Sequence, residues 1–127
     1  MQSQEPLSER KAQIMRVLWE LGEATADEIR AALPDDLHDS TVRTLLRQLE
    51  KRGFAGHEVR GRTFVYRPLL EKENVRSQAI SGLLRKFFGG SAKVLVQHLI
   101  RDEHLDLDEI RQLVTESGKK PRRRGKK

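Results

Sequence analysis

The stretch HDSTVRTLLRQLEKRG, residues 38–53, decides the fold. Val42, Leu45, Leu46 and Leu49 recur at helical spacing, and on a helix advancing about 100° per residue they fall within about 60° of Val42, forming one apolar stripe. Ser40, Thr44, Arg47 and Lys51 fall on the opposite side, with Arg43 and Gln48 on the flanks. Gly53 is the expected stop, and Asp39 or Ser40 the expected cap. Surface helices usually mix both signs of charge. This one carries hydroxyls, an amide and cations outward, with almost no acid.

Upstream, LSERKAQIMRVLWELGE begins with Ser8 as a cap, places Ile14, Val17, Leu18 and Leu21 on one stripe and stops at Gly22, which predicts a first helix. Trp19 lies beside that stripe as a core residue. ATADEIRAALPDD predicts a second helix of about two turns. Thr25 and Glu28 form its capping box, Ile29 and Leu33 are its buried residues, and Pro34 cuts it. Downstream the apolar period changes from helical to alternating. In FAGHEVRGRTFVYRP, Phe64 and Tyr66 alternate with Thr63, Val65 and Arg67, Gly61 supplies a turn, and Pro68 closes the second strand. This is a β-hairpin with Arg60 and Arg62 at its tip. Three helices followed by a basic hairpin follow the order of a winged helix-turn-helix.

After Pro68 the chain returns to helical spacing. Residues 74–88 set Ala79, Ile80, Leu83, Leu84 and Phe87 on a broad face and finish at Gly89–Gly90. Residues 91–104 present Val94, Leu95 and Leu99. Residues 106–117 begin with the capping-box pair Asp106 and Glu109 and present Ile110, Leu113 and Val114. Three short helices bury too little surface to stand alone, so Leu83, Leu84, Phe87, Leu95, Leu99, Ile110, Leu113 and Val114 are expected to pair with a second copy of the chain. The expected fold is mainly α with a small β-hairpin, an N-terminal winged helix-turn-helix followed by a C-terminal three-helix dimerisation region. The expected domains are residues 1–70 and 71–118, followed by a disordered basic tail over residues 119–127.

The net charge of +6 points to a polyanionic partner, but its distribution matters more than its size. Residues 1–70 hold 11 basic and 11 acidic side chains, residues 71–118 hold 7 and 8, and residues 119–127 hold 7 and none. Within the balanced first part, residues 1–38 hold 4 basic and 8 acidic groups, whereas residues 39–67 hold 7 and 3. That asymmetry marks one face as a site for phosphate. No run of apolar residues exceeds three, which leaves no membrane span and no secretory segment, so the expected location is the cytoplasm. The absence of cysteine excludes disulfides, thiolate metal sites and cysteine nucleophiles.

Chemistry assigns roles along the third helix. Arginine can present two parallel N–H groups to O6 and N7 of guanine, glutamine can bracket N6 and N7 of adenine, and a threonine methyl can touch that of thymine. In helix-turn-helix proteins the first turns of the recognition helix meet base edges. Ser40, Thr41, Arg43, Thr44 and Arg47 are therefore the expected readers with Gln48, while Lys51 and Arg52 meet phosphate. Arg60 and Arg62 reach flanking backbone or minor groove and position rather than specify. The alternative is a winged-helix module that docks a protein through its helical half and touches nucleic acid nonspecifically. His38, His57, His98 and His104 show no metal-clamp spacing. No phosphate loop or nucleophile elbow is present, so neither a catalytic residue, a metal nor a cofactor is expected.

The spacing of LSERKAQIMRVLWELGEATADEIRAAL, STVRTLLRQLEKRGF, FVYRPL, and FFGGSAKVLVQHLI followed by LDLDEIRQL resembles the penicillinase repressor family, the BlaI/MecI transcriptional regulators. The likeness runs from about residue 7 to residue 117, and its most specific parts are TVRTLL and the Gly-Gly pair. The resemblance implies a homodimeric winged-helix repressor on a palindromic operator with TACA/TGTA-type half-sites, with Thr41, Arg43 and Thr44 as recognition positions. Relatives often have Thr then Arg where this chain has Arg47 then Gln48, which implies a different half-site preference. It also implies a sensor-linked protease as partner, which in β-lactam-resistance relatives triggers a cut in the fifth helix, often at an Asn-Phe pair whose place is taken here by His98-Leu99. Copper-responsive relatives carry a cysteine-rich C-terminal metal motif that this chain lacks.

Overall fold

The computed structural model of the chain describes residues 6–119. The elements run α1 (Glu9–Leu21), β1 (Ala24–Thr25), α2 (Ala26–Ala32), α3 (Asp39–Lys51), β2 (Ala55–Arg60), β3 (Thr63–Pro68), α4 (Lys72–Phe87), α5 (Ala92–Asp102) and α6 (Leu107–Lys119). The chain divides into two compact units, one ending at Ala79 and the other beginning at Ile80, within α4. The expected basic tail lies outside the described residues except for Lys119, which closes α6.

In the first unit, α1, α2 and α3 enclose a core of Ile14, Met15, Leu18, Ile29, Val42, Leu46 and Leu49, all buried. Leu45 and Trp19 pack on it half-buried. Leu21, expected on the core stripe of α1, is instead half exposed, and Met15 fills the core. The helix ends at Gly22, immediately after Leu21, so the last turn overhangs the core.

The caps follow from local chemistry. Ser8 Oγ accepts from Lys11 N, and Thr25 and Glu28 close a reciprocal capping box on α2. Between α2 and α3, Arg30 Nε donates to the Leu37 carbonyl and pins the connecting turn. The cap of α3 differs from expectation. His38 is the N-cap and makes no side-chain capping bond, because Asp39 already lies in the first helical turn and gives its carboxylate to Arg43. At the other end, Gly53 at φ +83° lets its own N–H reach Glu50 O while Phe54 N reaches Leu49 O. These two bonds form a Schellman stop, and the left-handed backbone there favours glycine.

The sheet is three-stranded and antiparallel, in the order β1-β3-β2. The hairpin was legible in the sequence; β1 was not, because two residues show no period. Ala24 pairs with Tyr66 and Thr25 with Val65, clamping the hairpin to the start of α2. Arg60 faces Thr63 across a two-residue turn of Gly61 and Arg62, with positive φ at Gly61 alone. That is the signature of a type II′ hairpin turn, which explains glycine at its first position. Trp19 Nε1 donates to Leu70 O at 2.9 Å and ties the end of the hairpin to α1.

In the second unit, Ser91 caps α5 through Val94 N, and Asp106 and Glu109 exchange capping bonds at the start of α6. No residue of α4 or α5 is buried. Leu83, Phe87, Leu113 and Val114 are exposed, Phe87 to 72%, while Leu84, Leu95, Leu99 and Ile110 are half-buried. Among the described residues, no helix is long and apolar enough to cross a membrane.

Candidate nucleic-acid interface

The outer face of α3 is positioned by its inner one. Burial of Val42, Leu46 and Leu49 fixes the rotation of the helix about its axis, and Ser40, Thr41, Arg43, Thr44, Arg47, Gln48 and Lys51 are all exposed. Of these seven, only Arg43 has a side-chain partner among the described residues. Its Nε donates to Asp39 Oδ2 at 2.8 Å, one turn back. The bonded Asp39 carboxylate holds the Arg43 guanidinium pKa above its ordinary value. The other six side chains have no hydrogen-bond or ion-pair partner among the described residues, so a ligand can take them without breaking a bond there.

The hairpin stands beside α3 as a wing, built round an aromatic stack of its own and bonded to the helix through His57. His57 stacks on Phe64 at 4.1 Å and 11°, lies 5.5 Å from Tyr66, and bonds through Nδ1 to Glu50 in the last turns of α3. Tyr66 beneath it is buried, and that burial pushes its hydroxyl pKa up. Arg62, on the turn, lines an open cleft of about 270 Å³ together with Arg43, Thr25, Ala26, Asp27, Thr63 and Phe64. Arg43 of α3 and the wing-tip Arg62 thus share one concavity.

Arg60 is placed differently from Arg62. Its Nη1 and Nη2 donate to Glu23 Oε2 and Oε1 at 2.7 and 2.9 Å, and its Nε donates to Glu58 Oε2. Glu58 also accepts from Arg67 Nη2 at 2.9 Å. Two arginines and two glutamates therefore cancel on the sheet face opposite the aromatic stack. The hydrogen bonds from Arg60 hold both glutamates below the usual carboxylate range, and they raise the guanidinium in turn. Arg62 makes no hydrogen bond or ion pair among the described residues. The contrast was not visible in the sequence, since Glu23 and Arg60 lie 37 positions apart.

Three acids occur among residues 39–67, and each has a basic partner: Asp39 with Arg43, Glu50 with His57, Glu58 with Arg60 and Arg67. Of the cations facing outward from α3 and the wing tip, Arg43 is paired with Asp39, while Arg47, Lys51 and Arg62 have no acidic partner among the described residues. Residues 7–116 match the model of the Penicillinase repressor family. The chain belongs to that family. Over 109 residues it is 25% identical to the penicillinase repressor of Bacillus licheniformis, spanning 84% of this chain and 85% of the relative. It is 27% identical over 109 residues to the methicillin resistance regulatory protein MecI of Staphylococcus aureus (strain N315), spanning 84% and 89%. The solution structure of the DNA-binding domain of the repressor BlaI matches with a TM-score of 0.52 at 26% identity, covering 58% of this chain and 93% of that domain. For this member of the penicillinase repressor family the winged helix-turn-helix is thereby the fold of its first unit. Among its described residues no group of three or more metal-ligating side chains comes together.

Proposed function

We propose that this member of a family of DNA-binding transcriptional repressors represses transcription as a homodimer on an inverted-repeat operator. It carries no catalytic machinery of its own in this reading. In each protomer α3 enters a major groove. Ser40, Thr41, Arg43, Thr44, Arg47 and Gln48 read base edges there, Lys51 meets phosphate near the far end of the helix, and the wing reaches the flanking backbone through Arg62. The exposed apolar residues of α4, α5 and α6 join two copies, with Leu83, Phe87, Leu113 and Val114 covered in the pair. A two-fold axis in the protein then requires one in the DNA, with half-site centres roughly 34 to 36 Å, or a multiple, apart.

The observation that carries this reading is the set of six side chains on α3 with no partner among the described residues, all facing away from a buried stripe, next to a wing-tip arginine that likewise has none there. Arg60, whose charge is satisfied by Glu23 and Glu58, acts as a strut of the wing rather than as a phosphate contact. The operator type is the TACA/TGTA inverted repeat that the sequence resemblance implies, with the bases opposite Arg47 and Gln48 specific to this chain.

Fluorescence anisotropy of the full chain on a TACA/TGTA inverted-repeat duplex and on a scrambled duplex, at one fixed salt concentration, tests it. A preference of about 10³-fold or more is the expected result for a specific repressor. Equal affinity for every duplex in a chain that nonetheless dimerises would replace this reading with that of a protein-docking module.

A further inference from the structure

We infer that Asp39 is the positioning residue that sets the base preference of Arg43, an inference that rests on the reading of α3 as a recognition helix. A guanidinium recognises guanine through two parallel N–H groups, and its power to discriminate depends on how firmly the plane of the fork is held. A free arginine on a helix surface samples many rotamers and meets phosphate as readily as a base. Here the Nε edge of Arg43 is occupied: it donates to Asp39 Oδ2 at 2.8 Å. Nη1 and Nη2, which carry the end of the fork, have no partner among the described residues. The bond therefore consumes the one N–H that a guanine does not need and leaves the pair that it does.

Asp39 is suited to hold that fork. It sits in the first turn of α3, where the helix dipole stabilises a carboxylate, and its Oδ1 is buried without a hydrogen-bond partner. The side chain is thus seated against the protein at one oxygen and presents the other to Arg43. A carboxylate on the face that approaches a polyanion opposes binding by itself. Its placement makes sense if it trades general affinity for selectivity. Arg47, one turn further along, has no such partner among the described residues, so the two arginines of the face differ in rigidity. The spacing Asp39 to Arg43, four residues apart, is the only sign of this in the sequence.

The test uses the full chain and the TACA/TGTA inverted-repeat duplex together with a set of duplexes in which each base pair of one half-site is replaced in turn. For Asp39→Ala, the affinity for scrambled duplex is expected to rise, while discrimination at a single base pair of the half-site falls by about five- to tenfold, within the range a bidentate arginine supplies. Asp39→Asn keeps an acceptor for Nε and loses the charge. It is expected to raise general affinity but retain the discrimination. In an Arg43→Ala background, Asp39→Ala should change the discrimination no further. An Asp39→Ala protein with unaltered ratios at every base pair, or one that loses affinity for all duplexes by the same factor, overturns the inference. Wild-type chain with no preference among the duplexes overturns the reading of α3 itself, and so is told apart from a failure at Asp39 alone.

Discussion

Arg62→Ala separates the two wing arginines, and the structure supplies the size of the effect. Each phosphate neutralised by a cation contributes about 0.9 to the slope of log affinity against log salt on duplex DNA. Between 50 and 200 mM salt, one such contact changes affinity by roughly 3.5-fold. Arg62 has no acidic partner among the described residues and sits on the turn of the hairpin, so its removal is expected to reduce the slope by about one per protomer on any sequence. Arg60 lies two residues away but is held bidentately by Glu23 and again by Glu58. Its positive charge is already spent inside the protein. Replacing both carboxylates, Glu23→Gln with Glu58→Gln, releases that charge and is expected to steepen the slope and strengthen binding to scrambled duplex. Anisotropy titrations on scrambled duplex at four or five salt concentrations measure all three proteins. An unchanged slope in Arg62→Ala, together with an unchanged slope in the glutamine double variant, refutes the division of labour on the wing.

Two further perturbations probe the fold and the assembly. Leu46→Ala removes a fully buried side chain from the stripe that sets the rotation of α3, and should lower unfolding free energy by about 2 to 5 kcal/mol in urea titrations, a large share of the stability of a small domain; a loss under about 1 kcal/mol would mean that this position is not in the core. Leu113→Asp places a charge on an exposed apolar face of α6. Sedimentation is expected to show dimers for the wild-type chain and monomers for this variant, with weaker binding to the inverted repeat, and a variant that still dimerises would remove α6 from the interface.

Much of this is legible in the sequence. The stripe Val42, Leu46 and Leu49 set the face of α3, Thr25 with Glu28 announced the start of α2, and Gly61 marked the hairpin turn, because each of these signals acts within a few residues. What the sequence hid depends on distant partners. β1 is too short to show alternation, and it exists as a strand only because β3 pairs with it. The capture of Arg60 by Glu23 joins positions that nothing local connects. Asp39 and Ser40 both have the chemistry of a cap, but the better competitor for the Asp39 carboxylate is Arg43, one turn on. Leu21 fits the helical period but meets no core, since periodicity gives direction and not the extent of the packing surface.

In the proposed complex, two copies of α3 read a two-fold symmetric site through the face opposite their buried stripe. Selection of bound duplexes from a randomised pool with the full chain, followed by sequencing, measures this directly. Enrichment of an inverted repeat with half-site centres roughly 34 to 36 Å or a multiple apart, degraded at specific base pairs when Arg43 or Arg47 is replaced by alanine, is the predicted result. A pool that stays random, or one whose enriched motif has no two-fold repeat and survives both substitutions, would contradict it.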